Sequence, residues 1–269
     1  MELEINTVMV CVHTTSNSEE ESRSVPTPDI RSNKPIGFHD QEDNNTAFFQ
    51  KLVMAKFNGQ DISIAIPNEI SLSLSISKKS MIAADNKREE IKKHAADRNA
   101  IFESDVKIAY DFLEEIQKSV VFAYKAVESF CNASIPDGYV YKKTTSKGIV
   151  EHYGKEQIER WINTSEKVSI ILPEILVCGS PTEQKFWGDF KNLERIRNEL
   201  IHSKSINSAE ILAELFSDVV IRYVGSSVAL LEFFIKLDPA NPIFPLGFGK
   251  SKIKIISVPD VEEYLQKIG

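Results

Sequence analysis

Near the end of the segment 183–205, the chain places an arginine, an asparagine and a histidine within six residues, Arg197-Asn198-x-x-x-His202. The segment otherwise reads as a core-facing helix whose apolar stripe runs Phe186, Phe190, Leu193, position 197, Leu200. At 197 the stripe calls for an apolar residue and the chain supplies arginine. A guanidinium holds anions through a planar, permanently charged fork. An imidazole with an ordinary pKa of ~6.5 moves protons near neutral pH. Burying an unpaired guanidinium costs several kcal/mol, so Arg197 must be paired or must face a cleft or a second subunit. Asn198 and His202 are four residues apart and share a helix face. Arg197 and His202 are separated by about 140° at ~100° per residue, so one straight helix cannot aim both at one atom. Either the last turn frays, or a twofold dimer brings two copies of the motif to one groove.

Several elements must position these groups. From Phe102 the apolar residues Phe102, Val106, Ala109, Leu113, Ile116, Val120, Ala123, Val127 and Phe130 recur at 4-3-4-3 spacing, the stripe of a long bundle helix. Pro136-Asp137-Gly138 ends it. Shorter helices are expected over 155–163 and 166–177, the second interrupted at Pro173. Ser180-Pro181-Thr182-Glu183 carries an N-cap serine, a proline at N1 and a glutamate at N3, and is expected to open the motif helix, running to about His202. Asn207-Ser208 opens a last long helix over 208–237. Ahead of the bundle, residues 3–13 read as a strand and 14–45 as a mobile polar loop. Two alternating runs follow, Ile62-Ile64-Ile66 and Ile70-Leu72-Leu74-Ile76. Their period of two predicts strands with serines 71, 73, 75 and 77 facing water. Asn58-Gly59 signals a hairpin. After the prolines at 239, 242 and 245, a β run over 253–258, which could join the N-terminal sheet, and a helix capped by Asp260 finish the chain. The expectation is an α+β chain: a β-rich module over 1–82, an up-down helical bundle over 85–238, and an extension over 239–269.

The motif Arg197-Asn198-x-x-x-His202 near the end of a bundle helix, followed by a long apolar helix, resembles the Rx4–6H motif of HEPN domains. A second stretch is similar: Glu128 and Asn132, one turn apart near the end of the first long helix, facing the motif helix. The resemblance covers about residues 85–238 and leaves the N-terminal module aside. It implies a homodimeric bundle that cleaves RNA without metal or other cofactor, the substrate's 2′-OH attacking its own phosphate. On that resemblance His202 serves as general base or acid, Arg197 stabilises the phosphate charge, and Asn198 orients the imidazole or binds a phosphate oxygen. Glu128 and Asn132 position these groups, and Arg195 and Lys204 widen a groove for the RNA backbone. A toxin or antiviral defence setting, with an antitoxin or regulatory protein partner, follows from the family alone. Plainer readings stand beside it. Arg197 can pair with Glu128 as a structural bridge, and His202 can favour the helix dipole. The module can also bind a protein or a nucleotide through its dimer interface without catalysis.

The formal net charge is −7, which disfavours a generic nucleic-acid binder. Residues 16–45 alone hold seven acids against three basic residues, so the rest of the chain is nearly balanced. Three separated cysteines and five histidines without ligand spacing encode neither a disulfide framework nor a metal site. No secretory leader or membrane span is read in the chain, and a reducing cytoplasm fits its cysteine usage.

Overall fold

The computed structural model describes residues 29–95, 106–202 and 208–268. The elements, in order, are β1 (Ile36–Asp40), β2 (Thr46–Phe49), β3 (Leu52–Phe57), β4 (Gln60–Ala65), α1 (Glu69–Ala95), α2 (Val106–Ser134), β5 (Tyr141–Thr144), β6 (Val150–Tyr153), α3 (Lys155–Trp161), α4 (Thr164–Glu166), α5 (Leu172–Leu176), α6 (Trp187–Ile201), α7 (Ser208–Phe216), α8 (Val219–Ile235), β7 (Lys254–Val258) and α9 (Val261–Ile268). The fold is α+β, with small strands ahead of a helical region. It divides into two units: the described residues up to Leu72 together with those from Ile235 onward, and Ser73–Phe234.

In the first unit β1 pairs antiparallel with β2 and parallel with β7. The expected loop over 14–45 therefore contains an ordered strand at 36–40. Its apolar residues Ile36 and Phe38 are too few to stand out between polar neighbours. Phe38, Ala47, Phe49, Val258 and Val261 form the unit's core, with Ile36, Ile256 and Tyr264 packed on it. The strands pack closely at Gly37, where a Cβ would lie 3.1 Å from the Phe48 ring and 3.2 Å from the Ile255 side chain, so that these side chains would have to give way by a few tenths of an ångström. Strands β3 and β4 form a separate hairpin. Asn58 and Gly59 turn it with φ of 50° and 82°, the left-handed pair that a two-residue hairpin turn requires. Ile62 and Ile64, expected to face a core, are largely exposed.

The second alternating run is a helix, not a strand. Asn68 caps α1, its side chain accepting from Ser71 N at 3.0 Å and its carbonyl from Leu72 N at 2.9 Å. The serines face inward rather than toward water. Ser73, Ser77, Ser80 and Ala84, spaced 4-3-4, are buried, and Ser77 Oγ donates to the Ser119 carbonyl on α2 at 2.9 Å. The Ser73 hydroxyl, by contrast, is buried without a hydrogen-bond partner among the described residues.

Within the second unit, α2 packs against α6 and α7. Phe112, Ile116, Val120, Ala123, Val127 and Phe130 of α2 are fully or nearly fully buried, as are Phe190, Leu193 and Ile196 of α6. This matches much of the expected 4-3 stripe, although Val106 at its start is exposed and Phe102 lies outside the described residues. The hairpin β5–β6 falls between the expected helices and is turned at Gly148, with φ 77°. Pro173 does not interrupt its helix. A π-helical turn over Lys167–Ile171 precedes it, and the Ser169 carbonyl, four residues back, accepts from Ser180 Oγ at 2.9 Å instead. Two further expectations are corrected. The Ser180 start signal caps only a 3-10 turn over Pro181–Glu183, and extended backbone at Gln184 delays α6 to Trp187. The expected 208–237 helix is two, α7 and α8, separated at Ser217-Asp218, with the Ser217 hydroxyl accepting from Val219 N. The expected strand at 3–13, the loop residues 14–28 and Asn207 lie outside the described residues.

Candidate functional site

Helix α6 carries the motif because its buried residues Phe190, Leu193, Glu194 and Ile196 seat one face against the bundle. Position 197 then falls on the flank of that face, where the guanidinium is neither free nor sealed. Its side chain is 25% exposed, and Nη2 lies 3.9 Å from Glu128 Oε2 on α2. Arg197 Nη1 donates to Asn198 Oδ1 at 3.0 Å. The guanidinium carbon sits 4.9 Å from the centroid of the Tyr124 ring, one turn before Glu128. Arg197 is thus held by a π-face on one side and a carboxylate on the other. At that separation the partly exposed ion pair contributes about 0–1 kcal/mol, and the ring about as much again.

Tyr124 is itself anchored. Its hydroxyl donates to Glu194 Oε1 at 3.1 Å, and Ser165 N, at the start of α4, donates to the same oxygen at 3.2 Å. Lys191 Nζ donates to the other Glu194 oxygen and, at 3.0 Å, to Ser165 Oγ. Burial first, and then the neighbouring carboxylates, push the Tyr124 hydroxyl well above its ordinary pKa and keep it a donor. Neither Tyr124 nor Glu194 stood out in the sequence. Their only signal is spacing, since Tyr124 precedes Glu128 by four residues and Glu194 precedes Arg197 by three.

The structure brings together Glu128, Arg197 and Asn198. It takes Asn132 elsewhere: Asn132 Oδ1 accepts from Lys167 Nζ at 2.8 Å, and Lys167 also donates to the Glu159 carbonyl at 3.1 Å. Lys167 is almost wholly buried, and that burial lowers its pKa, with the Glu128 and Glu159 carboxylates pulling the other way. The adjacent Cys131 thiol is pushed up to about 12 by its own burial. Arg195 is tied to Glu214 on α7 at 2.5 Å. Lys204 lies outside the described residues. His202 is exposed and closes the helix, with φ −110° and ψ 42°, its N–H still bonded to the Asn198 carbonyl at 2.9 Å. Asn198 and His202 therefore mark the open end of α6, while Arg197 turns toward α2.

Among the described residues no three His, Cys, Asp or Glu side chains gather as metal ligands, and no helix is long and apolar enough to cross a membrane. No family model, no curated protein and no solved structure matches this chain.

Proposed function

We propose that this chain is a metal-independent endoribonuclease of HEPN type that acts as a homodimer. The observation that carries the reading is Arg197, held between the Tyr124 ring and Glu128 at the flank of the helix whose last turn exposes Asn198 and His202. In the proposed reaction His202 takes the proton from a ribose 2′-OH, which attacks the adjacent phosphorus. Arg197 holds the charge that grows on the phosphate oxygens. The departing 5′-oxygen takes a proton from the imidazole of the second copy, leaving a 2′,3′-cyclic phosphate and a 5′-hydroxyl. A twofold dimer would supply the convergence that one straight helix does not, since Arg197 turns toward α2 while His202 closes the exposed end of α6. Glu128 orients Arg197, and Asn198 links the two faces of the motif. A cytoplasmic toxin or defence role, gated by a protein partner, fits an activity that would harm its own cell.

A non-catalytic binding module is favoured by one observation: Arg197 is already engaged within the protomer. Incubation of the purified chain with total RNA in EDTA separates the two. Cleavage by the wild type, with cyclic-phosphate ends, and none by Arg197→Ala/His202→Ala is expected. Intact RNA after incubation with the wild type, or equal cleavage by His202→Ala, sinks the ribonuclease reading.

A further inference from the structure

Strands β3 and β4 pair only with each other among the described residues. No side chain of the two strands is buried, and β4 is exposed from Gln60 to Ile64. One face carries Val53 and Ala55 across from Ile64 and Ile62, with Phe57 beyond them. Phe57, Ile62 and Ile64 are 67%, 38% and 41% exposed. Two strands this bare are marginal in water, and a sheet gains independent stability with a third strand or more.

The hydrogen-bond register fixes which backbone groups of β4 are open. Ile66 N donates to the Lys51 carbonyl at 3.1 Å, so 51 and 66 form a bonded pair. Antiparallel pairs alternate, so 53–64, 55–62 and 57–60 are bonded as well. Asp61, Ser63 and Ala65 therefore turn their N–H and C=O groups away from β3. None of the three has a backbone partner on that outer side among the described residues. Past Ala65 the edge is taken: Asn33 N donates to the Ile66 carbonyl at 2.7 Å, and Asn68 N to the Arg31 carbonyl at 2.8 Å. The open stretch is thus 61–65, centred on Ser63. The other edge differs. On β3 the outward groups belong to Leu52, Met54 and Lys56, and Lys51 and Lys56 are both exposed. Lysines of this kind deter strand addition. Strand β4 has none, and its one charge is Asp61 beside the turn.

We infer that the outer edge of β4 pairs antiparallel with the same edge of a second copy of this chain, on a twofold axis at Ser63. In that register Ser63 meets its own copy, and Asp61 falls opposite Ala65 of the other chain. The two Asp61 carboxylates stand about 13 Å apart along the strands, so no like charges meet. Each of the three bonded pairs exchanges two backbone hydrogen bonds. Ile62 falls beside Ile64 of the other copy in the narrow pairs, with Cα atoms about 4.5 Å apart, and the exposed isoleucines shield one another. The result is a four-stranded sheet. Each copy uses its one unguarded edge, so the assembly closes at two. An interface this small is weak and depends on concentration. The pairing does not depend on the ribonuclease reading, whose dimer joins copies through the α6 motif.

Sedimentation of the whole chain over a roughly hundredfold range of concentration should show a monomer–dimer equilibrium. Ser63→Pro removes the outward N–H and spares the hairpin, because Ser63 faces Met54 in a non-bonded pair. It should weaken association about ten- to a hundredfold. Ile62→Lys places a charge at an exposed position on the edge and should weaken association similarly, with its urea midpoint in place. Met54→Pro, the matching change on the β3 edge, should leave association as it is. Amide exchange of Asp61, Ser63 and Ala65 should slow as concentration rises, while that of Leu52, Met54 and Lys56 stays constant. A chain that remains monomeric throughout overturns the proposal. So does a dimer that survives both Ser63→Pro and Ile62→Lys, which would leave pairing through α6 standing. Association lost in both variants, together with intact RNA under the wild type, would support the β4 pairing and remove the ribonuclease reading.

Discussion

The guanidinium of Arg197 has two neighbours of different kinds, and they are separable by substitution. The Tyr124 ring lies 4.9 Å away and the Glu128 carboxylate 3.9 Å away. The ring is pinned from behind by the Tyr124–Glu194 hydrogen bond, so its hydroxyl acts on Arg197 only through position. Tyr124→Phe keeps the ring and removes one of the bonds to Glu194, which retains Ser165 N and Lys191. A loss of about 1 kcal/mol in the denaturation free energy is expected, with the proposed RNA cleavage nearly unchanged. Tyr124→Leu removes the ring as well, and cleavage should fall further than stability does, chiefly in kcat. If both variants lose activity only in proportion to stability, Tyr124 is core packing and nothing more. Of this site, the arginine was legible because it breaks an apolar stripe, and Glu128 because it sits on the facing helix. Asn132 is held differently: from sequence its i+4 relation to Glu128 reads as one polar set, and in the structure its side chain accepts from the buried Lys167. A lysine at the start of a helical stretch gives no hint in sequence that its ammonium is buried.

At the level of elements, the helices with a strict 4-3 stripe could be read directly, and so could turns with a left-handed requirement, such as Asn58-Gly59. Alternation misled where small residues alternate with large ones. The run 70–77 satisfies period two and, through Ser73, Ser77 and Ser80, also a helical period. The Asn68 cap and the helix-forming residues after Lys78 decide between them, and the serines become the packed side. A substitution separates the two structures. In a helix, Ser77→Leu forces a large side chain against Ser119 and should destabilise by about 1–3 kcal/mol. Ile82→Lys, at a position 54% exposed on the same helix, should stay within about 0.5 kcal/mol. On the strand reading, Ser77→Leu would merely add an apolar group facing solvent and leave the urea midpoint in place. Breaks inside helical stretches were the least legible feature. Ser217-Asp218 and Gln184 interrupt patterns whose apolar periodicity runs straight through them, because local capping and backbone geometry decide a boundary that hydrophobicity does not mark.

On the scale of the molecule, distant parts of the sequence are joined within the first unit, by strand pairing and by one lysine. The parallel pairing of β1 with β7 brings residues 36–40 beside 254–258, and Lys34 lies just before that ladder. Its ammonium is buried and donates to the carbonyls of Asn241 and Lys252 at 2.9 Å each and of Pro239 at 3.4 Å. Three carbonyls of the C-terminal segment thus converge on a single cation from the N-terminal one. Burial lowers the Lys34 pKa to about 8 from 10.5, with Asp238 nearby pulling the other way. Below pH 8 the group is protonated in both the folded and the unfolded chain. Between about 8 and 10.5 the folded chain has released the proton while the unfolded chain still holds it. Unfolding then takes up a proton, so the lysine's contribution to stability grows as pH rises through that window. Lys34→Met fills the space but leaves the carbonyls without a donor, which should cost about 1–3 kcal/mol at pH 7. The gap between wild type and variant should widen from pH 8 to pH 10, read as denaturation midpoints of the whole chain followed by a probe in the first unit. A gap that stays constant, or narrows, would mean that the ammonium titrates as if exposed and that the carbonyl cage does not hold the C-terminal segment to the sheet.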